Sequence, residues 1–237
     1  MQRYFVNEKD EDKFLVNDID SHHMLNVMRM KIGDIVEIVY QEEVYKTKII
    51  KTSPVCLEII EKLEDNNELP VKVTICQSLV VENKMDFIFQ KGCELGAFNF
   101  IPFKAVNSII KGNSKDFAKK NIRWQRIVYD ASRQSKRNIV PKVLEPIDIN
   151  DLIKLKYDLK ILCTVNEVST TLKNVLQNHK NYDTMIIVIG PEGGFTDKEE
   201  ALLIQNGFIS VSLGNLVLRT ETTTLAVLSM INYEFER

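Results

Sequence analysis

The hydrophobic pattern changes character near residue 70. Before it, short runs rich in Val, Ile and Tyr at residues 3–6, 34–40, 44–51 and 55–62 are separated by turn-like stretches, the signature of strands. One helix interrupts them, with Asp20 or Ser21 as its cap and Gly33 just past its end. The natural package for residues 1–69 is a small β-barrel, ended by the polar stretch 64–69 before Pro70.

After Pro70, apolar strand-length runs alternate with helical ones. Strands are predicted at 71–79, 98–103, 159–165, 184–189 and 208–213. Helices are predicted from an Asn83 cap to Leu95 with Gly96 beyond, from Ser114 to about Arg137, and from Glu221 to Phe235. A further helix starts at Thr196, where Thr196 and Glu199 form a capping box. Alternation of this kind predicts an α/β domain over 70–237 with a mostly parallel sheet.

Composition narrows the class. With 44% hydrophobic and 27% charged residues the chain reads as an ordinary globular protein. Its apolar runs fall short of the roughly 20 residues of a membrane helix, and its N-terminus is quickly acidic, so a cytoplasmic protein is expected. Cys56, Cys76, Cys93 and Cys163 are widely spaced and form no CxxC pair, so no metal site is expected.

The net charge of −2 conceals a band. Residues 84–142 carry 13 basic and 4 acidic side chains, against 10 and 16 before them and 8 and 13 after. On the helix predicted from Ser114, Lys119, Arg123, Arg126, Arg133 and Arg137 fall within about 40° of one line. Lys104, Lys111, Lys115, Lys120 and Lys136 lie nearby, and a phosphate backbone is the obvious partner. A solvated helix face is the bland alternative.

Candidate chemistry concentrates near the C-terminus, where five of the nine glycines fall. GPEGGF at Gly190–Phe195 follows an apolar run and precedes a capped helix, which suits backbone N–H groups to a ligand's polar atoms. It lacks the lysine of a P-loop and the spacing of GxGxxG. A second loop, LGNLVLRTET from Leu213, leads into Arg219, Thr220 and Glu221. Thr220 can cap the last helix and Glu221 suits its dipole. Arg219 is the odd residue, because a cation before a helix N-terminus is unfavourable without a negative partner. His22 and His23 point about 100° apart and read as capping or surface residues, with nucleic-acid contact as the alternative. His179 reads as surface.

These segments, together with HHMLNVMR at His22–Arg29, KGCELG at Lys91–Gly96 and DASRQSKRNIVP at Asp130–Pro141, resemble the RsmE family of ribosomal RNA methyltransferases, of the SPOUT class. The resemblance spans nearly the whole chain. It implies an N-terminal PUA-like barrel that binds RNA and a C-terminal α/β domain with a trefoil knot. It further implies a homodimer that binds S-adenosylmethionine and methylates N3 of a uridine in 16S rRNA of the small ribosomal subunit. Carried over by position, the cofactor slot takes Thr164, Val165, Asn166 and Glu167, then Gly190, Pro191, Glu192, Gly193 and Gly194, and finally Leu213, Gly214, Leu218 and Thr220. For the reaction itself, the placement of Arg219 before a helix makes it the candidate catalytic group that stabilises the uracil anion, with Glu221 or a water as the acceptor of the N3 proton. RNA would be gripped by His22, Arg29, Lys91, Lys119, Arg123, Arg126, Arg133, Gln134 and Arg137. The chain departs from the pattern at Asn215-Leu216, where a proline and a basic residue are common, at Thr223 in place of alanine, and at Gly92-Cys93. An RNA-binding module without catalysis and an α/β enzyme acting on a nucleotide or small metabolite are the competing readings.

Overall fold

A computed structural model describes residues 1–110, 114–178 and 182–235. Lys111 and His179 lie outside the described residues. The chain divides into two units, one of Met1–Glu68 with Ser132–Ile139, the other of Leu69–Ala131 with Val140–Arg237.

The first unit is a six-stranded sheet in the order β1-β4-β5-β6-β3-β2. Its strands are β1 (Arg3–Phe5), β2 (Glu8–Asp10), β3 (Lys13–Leu15), β4 (Ile35–Tyr40), β5 (Glu43–Thr52) and β6 (Val55–Leu63). Only β1 and β4 run parallel. Register shifts between β5 and β6 add local twist, and the sheet curls so that Tyr4 of β1 and Phe14 of β3 share one core with Val36, Ile38 and Leu57. The β2–β3 hairpin was not predicted; its six residues alternate weakly, and only Phe14 among them is buried.

The helix of this unit starts earlier than the sequence suggests. Asn17, not Asp20 or Ser21, caps α1 (Asp18–His22), its side chain accepting from the Asp20 amide at 2.9 Å. A π-helical turn over His23–Val27 follows, closed by a Met28 amide to His23 carbonyl bond of 2.9 Å.

The second unit is built on a wholly parallel sheet in the order β12-β10-β11-β7-β8-β9. Its strands are β7 (Lys72–Ser78), β8 (Asn99–Phe103), β9 (Lys142–Val143), β10 (Leu159–Cys163), β11 (Thr184–Ile189) and β12 (Ile209–Val211). The inner strands are apolar on both faces, as expected where helices cover both sides. Ile75, Ile161 and Ile187 face one core, with residues of α2 (Glu82–Glu94), α3 (Ser114–Gln134), α5 (Leu172–Asn178) and α7 (Thr220–Phe235). Cys76, Leu162 and Val188, one residue on, face the other with residues of α4 (Ile149–Leu152) and α6 (Asp197–Gln205).

Three helix ends differ from expectation. Thr220, expected to cap α7 from outside, is its first residue, and its hydroxyl donates to the Gly190 carbonyl instead. Val81, rather than Asn83, precedes the first residue of α2, and no side chain caps it. The helix α3 stops at Gln134 instead of Arg137 because Lys136 takes a left-handed φ of 60° and the Arg137 amide turns back to the Ser132 carbonyl at 3.0 Å. Gly92, within α2, has a packing reason: a Cβ there would stand 2.8 Å from the Phe100 ring, so only glycine lets α2 approach β8 this closely.

Candidate functional site

In open parallel sheets, ligands bind outside the carboxyl ends of the strands. Here the loops leaving β10, β11 and β12 are neighbours by strand order, and they carry all the candidate cofactor residues except Thr220, which opens α7.

The loops after β10 and β12 enclose a cleft of about 290 Å³. Of the predicted residues it brings together Thr164, Val165, Glu167, Leu213, Gly214 and Leu218. Cys163, Val168, Ser212, Leu216, Val217 and Thr223 also line it without having been assigned to a cofactor slot; their signal was weak because they are ordinary apolar or small residues. The two loops are stitched together at the cleft's edge, where Ser212 donates its amide to Thr170 and accepts from the Leu172 amide. Gly214 has φ +122°, and a Cβ built there meets nothing within 4 Å. Backbone and open space therefore coincide at the mouth of the second glycine loop.

The polar residues of the first edge are mostly turned toward protein. Thr164 and Asn166 donate to the Glu200 carboxylate, at 2.6 Å and 3.1 Å. Glu167 accepts from the Ser169 hydroxyl and amide, the Thr170 amide and the Ser210 hydroxyl. Those bonds, led by the Ser169 hydroxyl, hold its carboxyl down at about 2. Burial pushes the Cys163 thiol up to about 12, which leaves it an inert wall rather than a nucleophile.

Gly190, Pro191, Glu192, Gly193, Gly194 and Thr220 are held beside this cleft, outside its lining. The Thr220 hydroxyl, buried, donates to the Gly190 carbonyl at 2.7 Å. Asn107 donates to the Gly193 and Gly194 carbonyls at 3.3 and 3.1 Å. Lys84 of α2 lies between Glu192 at 3.0 Å and Glu221 at 3.2 Å. Lys84 thus ties the GPEGGF loop to the first turn of α7, and bonding to Glu192 raises its pKa above the usual lysine value. Neither Lys84 nor this commitment of Glu221 was foreseen from the sequence.

Arg219 is different. It stands between two cleft residues, Leu218 and Thr223, is exposed, and among the described residues its guanidinium meets no carboxylate or hydrogen-bond acceptor. Only its carbonyl is engaged, by the Thr223 amide at 2.8 Å and hydroxyl at 3.1 Å.

The predicted basic stripe divides. Lys119 and Arg126 are exposed and without a partner among the described residues, as are His22, Arg29 and Gln134. Arg123 pairs with Glu82 and Asp86, and Lys91 with Glu94. Arg133 and Arg137 are each engaged with an acid. Arg133 reaches the fully buried Asp20 at 3.0 Å and lies over the Tyr4 ring. Arg137, only 2% exposed, grips Glu68 through Nε and a terminal nitrogen. Arg137 lies past the end of α3, so it leaves the helical line altogether.

A family model described as an RNA methyltransferase domain matches residues 67–232. Another, an RNA methyltransferase PUA domain, matches residues 16–60. The chain is 34% identical over 252 residues to ribosomal RNA small subunit methyltransferase E of Bacillus subtilis (strain 168), covering 100% of this chain and 98% of that protein. The protein of the same name from Mesomycoplasma hyopneumoniae (strain 232) is 34% identical over 229 residues, 97% of this chain and 98% of the relative. Among solved structures, ribosomal RNA small subunit methyltransferase E from Neisseria gonorrhoeae bound to S-adenosyl methionine superimposes with a TM-score of 0.87 at 28% identity, covering 98% and 97% of the two chains.

Proposed function

The chain belongs to the RNA methyltransferase family whose members include ribosomal RNA small subunit methyltransferase E, and from that membership we propose that it methylates N3 of a uridine in 16S rRNA, using S-adenosylmethionine. The base specificity follows the sequence resemblance. The single observation that carries the reaction is an unpartnered, exposed Arg219 at the rim of a cleft built from strand carboxyl ends.

The cleft's chemistry fits the cofactor. Apolar Val165, Leu213 and Leu218 suit a flat base, while open backbone at Gly214 suits polar edges. When bound, S-adenosylmethionine supplies an electrophilic methyl group. What remains for the protein is alignment and charge. Uracil N3 carries a proton, and its loss spreads negative charge over the flanking carbonyl oxygens. Arg219, with nothing else to neutralise, is the donor for that charge. Glu221 is already paired to Lys84, which favours water over Glu221 as the proton acceptor. Of the predicted RNA-binding residues, Lys119, Arg126, Arg29, His22 and Gln134 are left open for RNA phosphates among the described residues. Along with this reading go a homodimer and a cytoplasmic setting.

Incubation with radiolabelled S-adenosylmethionine and small subunits lacking their native modifications tests the proposal. Label recovered as 3-methyluridine in 16S rRNA is the expected outcome. Cofactor binding with no transfer to that RNA refutes the substrate.

A further inference from the structure

Beneath the two glycine loops, Thr220 and the Gly190 carbonyl belong to a buried polar chain whose centre, Gln77, neither the mechanism nor the sequence motifs use. Gln77, the penultimate residue of β7, is fully buried and paired in register with Ile189, the last residue of β11. Its amide nitrogen donates to the Thr220 hydroxyl at 2.8 Å and to the Ser78 carbonyl at 3.1 Å. Its amide oxygen accepts from the Thr224 hydroxyl at 2.8 Å. Thr220 in turn donates to the Gly190 carbonyl at 2.7 Å. One side chain therefore joins a central strand, the first turn of α7 and the first residue of the GPEGGF loop.

The direction of this chain is fixed by donor count. A carbonyl oxygen only accepts, so the single Thr220 proton must point to Gly190. The Thr220 oxygen can then only accept from residue 77, which must present an N–H. A flipped Gln77 amide would set its oxygen against both Thr220 and the Ser78 carbonyl, two acceptor–acceptor contacts in a buried place. Thr220 and Thr224 are 6% and 0% exposed, so water has little access to repair a broken link, and an unmet buried group is costly.

We propose that Gln77 is a positioning residue for the cofactor: by fixing the proton of Thr220 on the Gly190 carbonyl it holds the GPEGGF loop in its binding shape, against the helix that Arg219 precedes. The proposal rests on the reading of this site as an S-adenosylmethionine slot.

Gln77→Glu separates this role from simple packing. The substitution preserves shape, and burial favours the neutral acid. A neutral carboxyl can donate to Thr220 and accept from Thr224. An ionised one has no donor, and it draws the Thr220 proton away from Gly190. S-adenosylmethionine affinity, measured by calorimetry without RNA, should therefore weaken roughly tenfold in Gln77→Glu as the pH rises from 6 to 9, the worth of about one buried hydrogen bond. The unmodified protein should stay flat over that range. Gln77→Met should show the weaker affinity at every pH, Thr220→Val should match it, and Thr220→Ser should restore binding. The double variant Gln77→Met/Thr220→Val should bind no worse than either single one, since both cut the same link.

Each variant's melting temperature is recorded alongside. A Gln77→Met protein that melts earlier but binds the cofactor within twofold of normal overturns the proposal, as does a Gln77→Glu protein that binds normally across the pH range. If Gln77→Met does not fold, the Thr220→Val and Thr220→Ser pair decides the matter in the natural Gln77 background. The two readings fail separately: unmodified protein that binds cofactor but transfers no methyl group to RNA defeats the functional reading alone. Unmodified protein that does not bind the cofactor defeats both.

Discussion

The end of α3 and the start of α7 both place arginines where a sequence reader would look for chemistry, and they use them in opposite ways. In the last turn of α3 and just past it, Arg133 and Arg137 are committed to Asp20 and Glu68. Ahead of α7, Arg219 has no carboxylate to meet among the described residues. The difference lies in the acids. Asp20 is wholly buried, and a buried carboxylate needs a counter-charge. The acid nearest Arg219 in sequence, Glu221, is taken by Lys84. Arg219 stays open in part because the acid nearest it in sequence already has a partner.

The contrast is sharpest at Arg219. Arg219→Ala should lower turnover by roughly 10²–10³-fold, the cost of one lost donor to a developing oxyanion. Cofactor affinity and melting temperature should hold. A melting-temperature drop with unchanged turnover would place Arg219 with the structural arginines. Next in size is Arg137→Ala, which should destabilise the protein by about 3 kcal/mol by leaving Glu68 without its cation. Urea denaturation measures it. A normal denaturation curve with reduced RNA affinity would return Arg137 to the RNA-binding set. Smallest are Lys119→Ala and Arg126→Ala. Each should flatten the slope of log affinity for RNA against log salt by about one, with stability unchanged. A salt slope unaltered in both would make this face of α3 merely solvated.

The architecture was largely legible, because buried parallel strands such as β11 are continuous apolar runs and α6 carries a full capping box. The ends of elements were less so. Lys136 is a residue of ordinary helix propensity, and nothing local announces that its backbone turns left-handed and ends α3. Asn17 and Asp20 are both good caps, and only the Asn17 side chain reaches the free amide. At the site, the glycine loops and Arg219 stood out as residue types with few structural duties. Gln77 and Lys84 did not. Their partners lie 143 residues away for Gln77 to Thr220 and 108 for Lys84 to Glu192, and a separation of that kind leaves no periodicity to read. The ion pairs of Arg133 and Arg137 were illegible for the same reason: a helical wheel shows which face a charge occupies, not which distant acid it will meet.

The first unit closes with residues borrowed from far along the chain. Arg3 donates to the carbonyls of Lys136 and Arg137 and to Asn138 Oδ1, and Asn138 holds the carbonyls of Glu42 and Asp65. During synthesis, then, the N-terminal sheet waits. Its strands are complete once Leu63 has been made, yet the buried Arg3 lacks three of its acceptors until the ribosome has added some seventy more residues, several seconds at ordinary elongation rates. A fragment cut at the apparent linker would be left in that waiting state for good, with a buried cation facing an empty place. The linker read from the sequence does not bound the first compact unit, and a stable N-terminal fragment would have to carry the 132–139 segment with it.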